Sequence, residues 1–216
     1  MKFLLTTILI LLLPVWAGAA TYPIPWDGDG ETIVDGDTFC SGVCQAGDIL
    51  EFASGTDTLW LEDVVGTSAN PIILRNTNAG QAVIDVAADQ VCIRLVDCEY
   101  VTVDGTNAGG VTYGIRLTGS YIGIWSGGYL LGATGIEVHH VQIDDMVSQG
   151  MMIRAGNDDT FDPIVGPKIH DTYLFDIGRE GYYLGGTDDG NYHQNFEVHF
   201  YYLTPKHMRT CAFQKR

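Results

Sequence analysis

The sequence predicts an all-β chain wound as a single-stranded right-handed parallel β-helix. Three observations lead there. Helical periodicity is almost absent after residue 20, short β-branched and aromatic runs recur with Gly, Asn or Asp closing each, and one stretch repeats itself about every 30 residues. The runs include residues 71–75 (PIILR), 100–103 (YVTV), 114–117 (GIRL), 135–138 (GIEV), 150–154 (GMMIR), 181–184 (GYYL) and 195–199 (NFEVH). Hairpin turns of the Asn-Gly type do not connect them.

The first element is a leader. Residues 1–20 combine a basic Lys2, an apolar run from Phe3 to Trp16 and the small-residue site Ala17-Gly18-Ala19, the composition of a secretory signal peptide. The run is shorter than the roughly 20 residues that a membrane span needs. The mature part is therefore expected outside the cytoplasm, extracellular or periplasmic, with no membrane insertion. It carries 27 acidic residues against 10 basic ones once Lys2 is removed, a surface that repels nucleic acid and anionic membrane. Only 18% of the 216 residues are charged, whereas 23 are aromatic and 27 are Gly, so the chain can bury a core as one domain.

Residues 21–47 are expected to form an N-terminal cap. Cys40 and Cys44 lie close enough in it to clip a local loop in an oxidising compartment. Cys92 and Cys98 flank an extended segment that would span about 20 Å, so a bond between them would need a turn, and each is expected as a small buried hydrophobe. Cys211 is the odd one out.

Residues 48–203 carry the helix. Residues 136–155 overlie 167–186 at an offset of 31, matching Val138 with Ile169, His139 with His170, Ile143 with Leu174, Asp145 with Asp176 and Gly150 with Gly181. Val198-His199 continues the series at an offset of 29. Coils about 4.8 Å apart turn such matches into ladders. Alternation sends Val138, Ile169 and Val198 inward. It leaves Glu137, Lys168 and Glu197 outward as a row of alternating charge, and His139, His170 and His199 as a second outward row. Asp145 and Asp176 are expected to make turns. Two acidic insertions, residues 157–162 (NDDTFD) and 187–191 (TDDGN), each follow the Gly-rich strand of their coil and are expected on one edge, where solenoids commonly bind.

The repeat stops after Leu203, and four of the eleven basic residues crowd into 206–216. Residues 204–216 are expected as an irregular tail, too short and polar to cap the last coil, as if the helix were truncated or the tail out of frame.

Residues 66–76 (GTSANPIILRN), running into 82–85 (AVID), resemble the opening coil of secreted right-handed parallel β-helix repeat proteins, in the pectate-lyase-like superfamily. They are similar in particular to the chondroitinase B and alginate lyase family. Residues 47–52 (GDILEF) and 169–178 (IHDTYLFDIG) look like family coils, and the likeness spans roughly residues 45–203. It implies action on uronic-acid polysaccharides by β-elimination, with a Lys or Arg near a calcium ion that neutralises the substrate carboxylate.

The residues here that answer this need by their chemistry are Lys168, His170 and Arg179 on one coil as catalytic candidates. Asp158, Asp159, Asp188 and Asp189 are the calcium ligands, and outward aromatics such as Tyr182, Tyr183 and Tyr192 stack on sugar rings. The His row could also hold a metal or supply a base, although solvated stacking explains it without function. Likewise, the alternating charge row explains Lys168 without catalysis. A non-catalytic surface scaffold that binds glycan is the main alternative. A glycoside hydrolase built on the paired Asp residues is the second, but the polygalacturonase signatures Asn-Thr-Asp, Gly-His-Gly and Arg-Ile-Lys are missing.

Overall fold

A computed structural model describes residues 18–77, 80–106, 109–128, 133–154, 164–185, 193–194, 197–198, 202–203 and 212–213. The alternating runs form parallel strands stacked into a β-solenoid of about five turns, and no helix occurs among the described residues. Three long sheets make its sides. The first joins β1 (Thr21–Pro23), β3 (Ile49–Phe52), β5 (Ile72–Asn76), β8 (Val101–Asp104), β11 (Glu137–His139), β15 (Lys168–His170) and β19 (Glu197–Val198). The second joins β2 (Glu31–Asp35), β4 (Thr58–Glu62), β7 (Val91–Val96), β10 (Ile122–Gly127), β13 (Gln149–Arg154), β17 (Tyr182–Gly185) and β21 (Ala212–Phe213). The third joins β6 (Ala82–Asp85), β9 (Ile115–Thr118), β12 (Val141–Met146), β16 (Tyr173–Ile177) and β20 (Tyr202–Leu203). A short pair, β14 (Ile164–Val165) with β18 (His193–Gln194), completes the set.

Each full coil visits the first, third and second sheet in turn. The core follows from alternation: Leu50, Leu74, Val103, Val138 and Ile169 stack inward from the first sheet, each fully buried. Ile84, Leu117, Ile143 and Leu174 do the same from the third. Each such side chain contributes about 1.5–3 kcal/mol by leaving water. Asp145 and Asp176, expected at turns, both adopt the left-handed conformation, at φ 56° and 53°. Short Asp side chains tolerate it by bonding to local backbone. Gly150 stands where the chain passes close across the coil, because a Cβ there would lie 2.6 Å from Gly181 O and 2.6 Å from Leu174 Cδ2.

The first and last described stretches also carry strands. The stretch expected as a cap already supplies β1 and β2 to the sheets, with the Cys40–Cys44 disulfide closing the loop beyond them. Within the stretch expected as an irregular tail, Ala212–Phe213 pairs with β17 and extends the second sheet. Cys92 and Cys98 are free and buried, as small hydrophobes would be. The expected leader, apart from residues 18–20, and Cys211 lie outside the described residues.

Candidate functional site: a cleft on the first sheet

The first sheet carries two outward columns. One runs Thr102, Glu137, Lys168 and the other Asp104, His139, His170, both in the register that the repeat implies. Beside the first column, at the corner where the chain comes in from the second sheet, lies a cleft of about 220 Å³. Thr102, Glu137 and Lys168 line it from the sheet, while Thr67, Tyr100 and Thr134 line it from the turns of three successive coils. Gly135 and, one coil further on, Gly166 take left-handed backbone in the lining, at φ 62° and 63°. The lining is rich in hydroxyl groups, with one cation and one carboxylate facing each other across neighbouring strands.

Charge in the columns departs from simple alternation. The Glu137 carboxylate does not close on Lys168; it accepts a hydrogen bond from His170 Nε2 at 3.0 Å. The other ring nitrogen, Nδ1, lies 2.9 Å from Asp171 Oδ2. Burial alone would lower the His170 pKa, but the bonds and charges of Asp171 and Glu137 outweigh it and raise it. A proton on each ring nitrogen would satisfy both carboxylates, so the two contacts and the direction of the shift agree. The bond to His170, chiefly, holds the Asp171 carboxyl below the usual range. His139 stacks on His170 with ring centroids 5.0 Å apart, and burial pushes its pKa down. Its Nδ1 lies 3.0 Å from His140 Nδ1 and 3.5 Å from Asp104 Oδ1.

The expected site residues do not all meet. Lys168 is exposed at the cleft, makes no ion pair to any described carboxylate, and lies on the same strand as His170. Arg179 is exposed on the turn between β16 and β17, around the next corner from β15, so the coil that links it to Lys168 in sequence separates the two in space. Tyr182 points inward, 3% exposed, its hydroxyl 2.7 Å from Thr172 Oγ1, and offers no ring to an external sugar. Tyr183 points outward, but from the second sheet.

Tyr192, Asp158, Asp159, Asp188, Asp189 and His199 lie outside the described residues. The strands that bracket the two acidic insertions do pair: Arg154 with Gly185 where they leave, and β14 with β18 where they return. That return is beside Val165 and Gly166 of the cleft. Among the described residues, no three His, Cys, Asp or Glu side chains are grouped so as to hold a metal ion. Of the paired Asp residues that a hydrolase would use, Asp144 is buried and paired with Arg116.

Tyr100, Thr134 and Thr67 were not singled out from sequence. Their signal is faint: Val65, Glu99, Thr134 and Val165 bridge in series, and Gly follows three of them, at 66, 135 and 166. The chain matches no family model, no curated protein and no solved structure.

Proposed function

We propose that the protein is an exported β-helix of the pectate-lyase-like kind that binds acidic extracellular polysaccharide at this cleft. The observation that carries the reading is the cleft itself: Lys168, exposed and without an ion pair to a described carboxylate, stands among hydroxyl groups in a chain of 27 acidic and 11 basic residues. A lone cation in such a surface selects a ligand that brings its own carboxylate, and hydroxyls on a rigid scaffold suit the alcohols of a sugar ring. The acidic insertions belong to the same reading. Asp158, Asp159, Asp188 and Asp189 are an all-oxygen donor set of the type calcium takes, and a bound calcium would offset repulsion of a polyanion.

A second reading, β-elimination, is favoured by Lys168 standing next to Glu137 on the cleft wall. In that reaction the Glu137 carboxylate would take the C5 proton of a uronate, a C4–C5 double bond forms, and the C4–O bond breaks as the leaving oxygen gains a proton from water. Lys168 would neutralise the charge that grows on the carboxylate. His170, committed at both nitrogens, supports binding without cleavage.

The test is incubation of the mature protein with polyuronates and with neutral glucans, reading retention by affinity electrophoresis, unsaturated ends by ultraviolet absorbance and reducing ends by colour. Retention by polyuronates that Lys168→Ala weakens about tenfold is expected, as for loss of one charge-assisted bond. Unsaturated ends would establish the lyase, and no retention on any polyuronate would overturn the proposal.

A further inference from the structure

The outer face of the second sheet carries a ladder with no part in the cleft. Ile33, Trp60, Arg94, Trp125, Met152 and Tyr183 stand in register on six successive strands. At about 4.8 Å per strand the row is about 24 Å long and one side chain wide. Ile33 is 52% exposed and the others are half-buried.

Arg94 is the single charge in the row. Its guanidinium carbon sits 4.1 Å from the Trp60 ring centroid and 5.3 Å from that of Trp125, and it makes no ion pair with any described carboxylate. Cation–π contacts on both sides fix the fork in place without neutralising it. The neighbouring outward positions on two of the strands are glycines. A Cβ on Gly127 would lie 3.1 Å from Trp125 Cζ2 and 3.5 Å from Arg154 Cβ, and one on Gly185 would lie 3.6 Å from the Tyr183 hydroxyl, so both rings lean along their strands over the glycine positions. The result is a low, preorganised apolar strip with a fixed cation at its centre.

We propose that this ladder is a second docking strip for acidic polysaccharide, with an anionic substituent on Arg94 and sugar rings against Trp60 and Trp125, the chain crossing the strands along the solenoid. It rests on the reading of the ligand as an acidic polysaccharide. Charge complementarity selects the occupant, because an uncompensated cation held between rings in an acidic protein answers an anion. Shape agrees: a strip one side chain wide suits an extended chain, whereas a stable protein partner covers about 800 Å² on each side. Aromatics and Arg, held rigid, also lose little freedom on binding.

The experiment titrates the full mature chain with polygalacturonate, and with a neutral glucan as control, following tryptophan fluorescence. The comparison is among wild type, Arg94→Met, which keeps a stem between the rings but loses the charge, and Lys168→Ala. Arg94→Met should bind about tenfold more weakly with an unchanged melting temperature and a smaller salt dependence, as for one lost charge-assisted contact. Lys168→Ala should still show the fluorescence change. As a readout free of any variant, polygalacturonate should shield the wild-type tryptophans from acrylamide quenching. Unaltered quenching, or Arg94→Met binding like wild type, would overturn the ladder, and in that case a loss with Lys168→Ala would leave the cleft reading standing. No binding of polygalacturonate by wild type would overturn both.

Discussion

His139 and His170 lie face to face, ring centroids 5.0 Å apart and planes 14° apart, yet their surroundings pull their proton affinities in opposite directions. Burial lowers His139, whereas for His170 the bonds to Asp171 and Glu137 overcome burial and raise it. NMR titration of the two imidazoles should find His139 below and His170 above the ordinary value of about 6.5. Stability follows by linkage. The His170 contribution is full below about 6.5 and is lost as pH rises through its folded value, while that of His139 is present above about 6.5 and is lost as pH falls through its folded value. His170→Gln should flatten the alkaline limb of the melting temperature against pH, and His139→Gln the acid limb. Two imidazoles that titrate together would sink this account.

Gly150 and Gly181 match in sequence but differ in space. A Cβ on Gly150 meets backbone and a buried methyl at 2.6 Å, whereas on Gly181 the nearest contact is Leu174 Cδ2 at 3.4 Å. Gly150→Ala should destabilise by about 2–3 kcal/mol, in the range of core overpacking, and Gly181→Ala by under about 1 kcal/mol. Urea midpoints decide the matter, and equal midpoints for the two variants would contradict the packing described.

The contrast shows how far the chain could be read in advance. Period-two alternation combined with a 31-residue offset is enough to align Val138 with Ile169 and Glu137 with Lys168, because pleat and coil spacing dictate Cβ positions. The same logic stops at the rotamer: backbone register does not say that the Glu137 carboxylate turns to His170 rather than Lys168. Arg179 shows a different limit. Nine residues beyond His170, the chain has crossed the third sheet and turned a corner, so a shared coil is no measure of proximity. The cleft was hidden for a third reason, since Thr67, Tyr100 and Thr134 come from turns on successive coils that precede the segment, 136–155, where the 31-residue match begins. Trp60, Arg94 and Trp125 were open to the same alignment, carried further back toward the N terminus.

Arg116 grips Asp144 through two hydrogen bonds, of 2.9 and 2.6 Å, while Gln142 and Thr118 donate to the same carboxylate. Burial would raise the Asp144 pKa, but these bonds outweigh it and hold it below the usual range. The pair therefore contributes above the unfolded value of about 3.9, and the contribution is lost as pH falls through the lower folded value. Arg116→Met should cost about 2–3 kcal/mol at pH 7, the scale of hydrogen bonds to a charged group, and much less in strong acid. Urea unfolding at the two pH values, with Asp144→Asn added to close a double-mutant cycle, measures it. No loss at pH 7 would mean that the pair is energetically idle.

Cys92 and Cys98 should report on opening of the solenoid. Burial pushes both thiols up to about 12. Cys92 Sγ rests 3.2 Å from Ser120 Oγ and Cys98 Sγ 3.3 Å from Val96 O, with no path to solvent for either. At pH 8 almost none of either thiol would be the thiolate, the form that reacts, against roughly a quarter for an unperturbed thiol. Iodoacetamide at pH 8, followed by peptide mapping, should therefore leave both unmodified in the native protein and label both in urea, with Cys40 and Cys44 silent until reduced. Because each thiol sits deep in the stacked core, its labelling rate should rise with urea along the global unfolding curve and not along a shallower local one. Labelling of either in the native state at the rate of a free thiol would mean that the coils around it open far more readily than their packing implies.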